Sequence, residues 1–317
     1  MAITATRNFE TLSRAPSVSE QEKSVRTHTI IREHLESDES LRKYSIQTFL
    51  QGSYKNSTNV RGDSDIDIGG LTEGIFYYDT SNLPATPADS TYFHGNRSLR
   101  ELTESALGDS ASYTFFDYRR DVLKSLQSKF GESNIVDGNK AITIRGNTYR
   151  LNADVLACTD FRQYYQDYMG SAAYHRGIVF FTKSCDRIVN FPHQHFQNLG
   201  DKDRRCNGKV KGVIRILKRI RNEMEERGGW DRKRSPSFYL ESLIWNVPDQ
   251  NFVGGYDGVV QNVLAYLWND LRDCKSKGNL DKYIQANRIF YLFHAKFWNA
   301  DDALVFIDRV WQAVFSS

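Results

Sequence analysis

Apolar residues recur along this chain in two rhythms, and the rhythm changes near residue 200. Before that point they fall in short runs bounded by turn residues. YSIQTFL, 44–50, ends at Gly52, and DIDIGG begins at Asp65 with a possible continuation to IFYY. Further β segments are predicted near 133–136, at 140–145 (KAITIR), at 148–157 (TYRLNADVLA) and at 177–182 (GIVFFT). Two helices are expected among them. One starts near Ser19, where Ser19 and Glu22 have capping-box spacing and Val25, Ile30, Ile31 and Leu35 form a stripe. The other covers 112–129. Residues 80–96 read as a polar loop. From about 203 the period becomes helical: Val210, Val213, Ile214, Leu217, Ile220 and Met224 share one face. Ser235-Pro236 reads as an N-cap with proline at the first helical position, opening a helix through SFYLESLIW, and amphipathic helices continue to the end. The pattern predicts an α+β protein, a mixed sheet with helices over 1–199 and a helical lobe over 200–317.

Composition narrows the class. The chain has 317 residues, of which 40 % are hydrophobic and 26 % charged, as in a globular protein with a real core. No apolar run approaches the roughly 20 residues of a membrane span, and MAITATRNFETLSRAPS lacks the apolar block of a secretory signal. A cytoplasmic protein without membrane contact is expected. Cys158, Cys185, Cys206 and Cys274 form no C-x-x-C, which argues for reduced thiols rather than a zinc site. Net charge is +3, yet Lys202–Arg234 holds thirteen Lys/Arg against five Asp/Glu. That block calls for an anionic partner or a solvated helix face.

The chemistry concentrates in QGSYKNSTNVRGDSDIDIGG, 51–70. Asp63, Asp65 and Asp67 occupy alternate positions. Residues i and i+2 of a strand share a face, so Asp65 and Asp67 present two carboxylates side by side. Burying them unpaired is costly. A hard divalent cation, Mg²⁺ or Mn²⁺, is the natural partner of such oxygen ligands. A calcium loop is rejected: it needs Gly and Glu where Ile68 and Gly74 stand. Asp154, flanked by Ala153 and Val155 in an apolar strand, is either a third carboxylate of the same site or an exposed edge-strand residue. Gly52-Ser53 ends a strand where backbone amides and the Ser53 hydroxyl can approach a phosphate. Alone, it would be a plain turn.

Taken together, Gly52-Ser53, Asp65-Ile66-Asp67 and Asp154 resemble the signature of the DNA polymerase β-type nucleotidyltransferase superfamily. GSYKNSTNVRGDSDIDI, DRIVNFPHQH, IRILKRIRN and SPSFYLESLIWNVPD resemble the bacterial CD-NTases, relatives of cyclic GMP-AMP synthase and oligoadenylate synthase. The likeness runs from about residue 20 to 250 and is greatest to the clade that makes uridine-containing cyclic dinucleotides.

The resemblance implies a polymerase β-like core, a helical lobe and an active site in the cleft between them. It implies that Asp65, Asp67 and Asp154 hold two Mg²⁺ and that Gly52 and Ser53 cradle a triphosphate. Lys218 would reach the outer phosphates. Lys211, Arg215, Lys218 and Asn222 share a helical face opposite the apolar stripe, and for Lys211 and Arg215 a solvated face is expected. Ser237 would contact phosphates. Phe238 would stack on the donor base, or else belong to the core with Leu240 and Leu243. Asn190 would read uracil, since an amide donates and accepts at once; otherwise it is a turn residue before Phe191-Pro192. The implied reaction joins ATP and UTP into a cyclic dinucleotide messenger in antiphage defence, read by a downstream effector. Other products (purine-only, a trinucleotide, a linear oligomer), nucleotidyl transfer to tRNA or protein, and a non-catalytic nucleotide-binding module are the alternatives. The zinc insertion with which cyclic GMP-AMP synthase grips DNA has no counterpart here, so DNA activation is not expected. His193 and His195 are expected to pack or hydrogen-bond rather than bind metal.

Overall fold

The structure, a computed structural model, describes residues 8–60, 65–82, 113–167, 169, 171–293 and 298–315. Packing sorts them into two compact units. One holds the described residues of Glu22–Gln51 and Asp65–Pro192, the other those of Met1–Gln21, Gly52–Ser64 and His193–Ser317. This differs from a single division at 199/200, for a physical reason. Phe9, in α1 (Phe9–Ser13), belongs to the apolar core of the helical unit. Arg215 and Arg219 donate to the carbonyls of Ser13 and Leu12.

The first unit is built on a seven-stranded sheet. Its strands are β1 (Ile46–Leu50), β2 (Ile66–Asn82), β3 (Ile135–Asp137), β4 (Ile142–Ile144), β5 (Ala153–Gln166), β6 (Ala172–Phe181) and β7 (Arg187–Asn190). The order is β1-β2-β5-β4-β3, with β6 paired to the later part of β5 and β7 to β6. Only β2 and β5 run parallel among these pairs. Residues 80–82, expected in a loop, continue β2; residues 83–96 of that expectation, and Asp63, lie outside the described residues. β5 starts at Ala153 rather than 148. The Asn147 side chain accepts from the backbone N–H groups of Tyr149 and Arg150, closing a turn that a strand cannot pass through. β7 was not anticipated: four residues carry too little alternation to be legible, and pairing with β6 makes the strand.

Helix α2 (Val18–Ser37) is capped two residues earlier than Ser19, since Glu20 N–H donates to Ser17 Oγ at 3.4 Å. Its buried stripe is Ser24, Thr27, Ile31 and Leu35, while Val25 is 62 % exposed. Thr27 is kept on that stripe by accepting from Leu151 N–H and donating to Lys23 O. A short α3 (Glu39–Arg42) leads into β1. Farther on, α5 (Phe115–Phe130) opens with a Thr114–Asp117 capping box and lays Tyr118, Val122 and Leu126 inward. Tyr118 Oη donates to Gly70 O at 2.8 Å, tying the helix to β2.

The second unit contains α4 (Gly52–Asn56), α6 (Pro192–Arg205), α7 (Lys209–Glu226), α8 (Ser237–Trp245), α9 (Tyr256–Ser276) and α10 (Ala300–Phe315). α7 is its spine. Gly212 lets the Tyr256 ring pack directly on it, for a Cβ there would collide with the Tyr256 hydroxyl and ring. The cap of α8 is Pro236, not Ser235. Ser235 is fully buried and accepts from Trp230 Nε1 at 2.8 Å, which leaves its hydroxyl no part in capping. Between α9 and α10 the described chain is turns, a single 3-10 turn at Leu280–Lys282 and an isolated Ile284–Tyr291 bridge rather than an amphipathic α-helix. Among the described residues no helix is long and apolar enough to cross a membrane.

Candidate active site

In the sheet unit the carboxylates sit where the two parallel strands begin. Ile66 and Ile68 of β2 are fully buried, so Asp67 and, by the period of two, Asp65 take the opposite face. Asp67 is the register partner of Asp154 on β5, and Thr143 on β4 is the partner of Asp154 on its other side. Register partners point to the same face of a sheet, with strands about 4.8 Å apart. Thr143, Asp154 and Asp67 therefore form a row across three strands. Asp154 is a central-strand residue, not an edge one, because β5 is paired on both sides.

Thr143 Oγ1 donates to Asp154 Oδ1 at 2.6 Å. Burial raises the Asp154 carboxyl above its ordinary range; the Thr143 hydrogen bond opposes this and the Asp65 charge adds to it. Charge repulsion of this kind is what a cation relieves. Oxygen-only donors suit Mg²⁺ or Mn²⁺. Among the described residues no three His, Cys, Asp or Glu side chains converge on a common metal point. The donor chemistry and the raised Asp154 carboxyl are what fit the ion. Asn190, in the same unit, ends β7 opposite Ile178, and its Oδ1 accepts from Phe191 N–H at 2.9 Å. That bond is the turn role; it leaves the amide NH₂ as the group that could read a ligand.

In the helical unit Gly52 takes φ +62°, a left-handed conformation that glycine adopts without strain. Ser53, next in the chain, is buried, and its Oγ accepts from Lys218 Nζ at 2.9 Å. Lys218 also donates to Thr58 O at 3.1 Å and is fully buried in α7. A hydroxyl oxygen engaged by an ammonium keeps its own proton available to an acceptor. Ser237 opens α8, half-buried, and Phe238 follows with its ring between His195 (4.6 Å) and Trp298 (5.3 Å). Phe238 is thus half-buried in an aromatic row rather than inside the apolar core formed by Leu240 and Leu243.

One residue not singled out for a role in the sequence, Glu241, stands beside these. Glu241 is buried and accepts from Asn56 Nδ2 at 2.8 Å, from His195 Nε2 at 2.7 Å and, at a short distance, from Thr58 Oγ1. Burial pushes its carboxyl up, but the His195 bond and charge, the Lys218 charge and the Thr58 bond hold it net below the ordinary carboxylate range. His195 does hydrogen-bond, as expected. Glu241 had a signal: a carboxylate inside SFYLESLIW conflicts with an otherwise apolar helix face.

The basic block is largely consumed within the chain. Lys202 and Arg205 pair with Asp249, Arg204 with Asp201, Arg227 with Glu223, Arg232 with Glu225 and Arg234 with Asp302. Arg215 donates to the Ser13 and Ser57 carbonyls and Arg221 to Ser235 O. Arg215 is not on a solvated face; burial lowers its guanidinium from its ordinary value.

Comparison with known proteins identifies the chain as a nucleotidyltransferase. The cGAS/DncV-like nucleotidyltransferase C-terminal helical domain matches residues 197–314. The cyclic dipyrimidine nucleotide synthase CdnE of Legionella pneumophila is 31 % identical over 99 % of this chain and 99 % of its own. The cyclic dipurine nucleotide synthase of Elizabethkingia meningoseptica is 30 % identical over 84 % of each chain. Among solved structures, the Rhodothermus marinus CdnE c-UMP-AMP synthase with Apcpp and Upnpp superposes with a TM-score of 0.76 at 27 % identity, covering 98 % of this chain and 97 % of that one. The chain belongs to the CD-NTase family of cGAS/DncV-like nucleotidyltransferases, among the CdnE cyclic nucleotide synthases.

Proposed function

We propose that this protein is a template-independent, Mg²⁺-dependent nucleotidyltransferase that joins ATP and UTP into cyclic UMP-AMP, a second messenger of antiphage defence read by a downstream effector. The observation that carries the catalytic part is the Asp67–Asp154 register pair with Asp65 two residues away on the same face. Asp65, Asp67 and Asp154 would hold the ions, which when bound neutralise developing charge on the transferring phosphoryl group. Asp154 Oδ2, the oxygen not engaged by Thr143, would accept the proton of a ribose hydroxyl. That hydroxyl oxygen bonds to the α-phosphorus as the bond to the bridging oxygen breaks and pyrophosphate leaves. A second such step closes the ring. Gly52 and Ser53 would receive the triphosphate, with the Ser53 hydroxyl donating while Lys218 supplies positive charge behind it. Ser237 would add a phosphate contact, Phe238 a face for the donor base and Asn190 the uracil edge.

The uridine choice rests on Asn190 and on the likeness to a c-UMP-AMP synthase; relatives named for dipyrimidine and dipurine products bracket it. The intramolecular pairing of the basic block speaks against tRNA as acceptor. The test is a product assay. Purified protein is incubated with Mg²⁺ and all four NTPs, treated with phosphatase and analysed by mass spectrometry. A phosphatase-resistant mass of AMP plus UMP less two waters is expected. A purine-only cyclic mass would keep the enzyme and discard the uridine assignment. A linear product would discard cyclisation.

A further inference from the structure

Between Gly52 and Asn59 the chain turns through a buried polar segment. Ser53, Asn56, Thr58 and Asn59 are all nearly inaccessible to solvent. Thr58 N–H donates to Ser53 O at 2.9 Å, closing the turn. Buried polar groups of this density need partners, and two charged side chains supply them for Ser53, Asn56 and Thr58. Lys218 holds the Ser53 hydroxyl and the Thr58 carbonyl. Glu241 holds the Asn56 amide and the Thr58 hydroxyl. Thr58 thus bridges the two charges, its carbonyl on one and its hydroxyl on the other.

Glu241 reaches a second element. It is ionised, so it only accepts, and His195 Nε2 carries the proton of their 2.7 Å bond. His195 Nδ1 is buried without a partner among the described residues. The Glu241 contact is therefore the polar anchor that sets the imidazole, whose ring lies 4.6 Å from that of Phe238. One carboxylate fixes the segment that carries Ser53 and the ring beside Phe238.

We propose that Glu241 is a positioning residue for nucleotide binding, acting through Asn56 and Thr58 on the Gly52-Ser53 segment and through His195 on Phe238. The inference rests on the nucleotide-binding role proposed for Ser53. Glu241 touches no substrate in this scheme. Its charge balances buried Lys218, and its bonds set where Ser53 stands. Loss of either should weaken nucleotide binding more than turnover.

The experiment compares Glu241→Gln, Asn56→Asp and the double variant in the full-length protein. Each is measured for KM and kcat with ATP and UTP, for binding of a non-hydrolysable ATP analogue by calorimetry, and for melting temperature. Glu241→Gln removes the charge and keeps the size. It is expected to raise KM and the analogue Kd on the order of tenfold with kcat changed about threefold or less. Asn56→Asp with Glu241→Gln returns the carboxylate across the same 2.8 Å contact, with the amide now donating, and should restore most of KM. An unchanged KM and Kd in Glu241→Gln would overturn the proposal. So would a raised KM that the double variant fails to restore, which is what a merely structural role produces. Thr58→Val keeps the carbonyl that Lys218 uses and removes only the hydroxyl. It should raise KM in the same direction should Glu241→Gln not fold, and an unchanged KM there would equally overturn the idea. A wild type that binds the analogue but makes no cyclic product removes the catalytic reading alone, and the Kd comparison still decides. A wild type that binds no nucleotide removes both.

Discussion

Asp67 and Asp154 are register partners on the parallel strands β2 and β5, side by side on the face that Ile66 and Ile68 do not occupy. Parallel neighbours separated by 86 intervening residues owe this placement to the crossover through α5, β3 and β4. Two carboxylates so placed destabilise one another unless a cation or a proton intervenes, and function follows from which of the two it is.

Replacing Asp65 and Asp67 together by Asn should abolish turnover, by about 10³-fold or more. The change is nearly isosteric and both side chains are part-exposed, so far-UV circular dichroism and the melting temperature should stay near wild type. Retained activity in the mass-spectrometric product assay would remove these aspartates from the metal assignment.

Asp154→Asn should also abolish turnover, yet raise the melting temperature in chelator-treated buffer at neutral pH by about one or two degrees. The sign follows from the raised carboxyl. In the folded protein Asp154 keeps its proton to a higher pH than in the unfolded chain, where a carboxyl titrates near 3.9. Its contribution to stability is full below the unfolded value and is lost as pH rises through the folded one. The amide has no such loss and still accepts from Thr143. A melting temperature lowered by the substitution would contradict the electrostatic account.

Lys218→Met keeps most of the buried volume and removes the donor shared by Ser53 and Thr58. The two oxygens left without it should cost about 1–3 kcal/mol in urea unfolding. Nucleotide affinity should fall tenfold or more, on the order of 1.4 kcal/mol. Normal affinity in a destabilised variant would confine Lys218 to folding.

Glu241→Ala should be worse for stability than Glu241→Gln, at about 3–5 kcal/mol, because it leaves buried Lys218 and His195 facing a cavity without a counter-charge. The wild-type carboxyl, held below its ordinary range, stabilises the fold above the unfolded value and stops doing so only as pH falls through the lower folded one. The difference between the two proteins in denaturant midpoint should therefore persist at neutral pH and narrow in strong acid. A midpoint difference independent of pH down to the acid transition would contradict this.

Asn190→Ser should lower the preference for UTP over purine triphosphates in competition assays, since a hydroxyl cannot present the paired donor and acceptor of an amide. An unchanged nucleotide profile would leave Asn190 with its turn bond to Phe191 alone.

The spacing of Gly52-Ser53, Asp65-Ile66-Asp67 and Asp154 was legible along the chain because local rules govern it: a strand alternates faces, and a carboxylate in an apolar strand is a conflict that needs resolving. The existence of α5 and the stripe of α7 were legible for the same reason, since helical periodicity is set within a few residues. What tertiary structure decided was partnership across distance. Ser19 and Ser235 had good capping sequences, but Ser17 caps α2 and Ser235 is claimed by Trp230. Arg215 looked solvated because helical spacing says nothing about what packs on the outer face, and here the Ser13 and Ser57 carbonyls do. The basic block called for an anionic partner or a solvated helix face, and sequence could not show that Asp249 and Asp302 meet it from elsewhere in the chain. Glu241 is the sharpest case. Sequence alone determines that a carboxylate sits in an apolar helix; only the fold brings it Asn56, Thr58 and His195, from 185, 183 and 46 residues away, because satisfying a buried charge is a demand that any distant segment able to supply donors can meet.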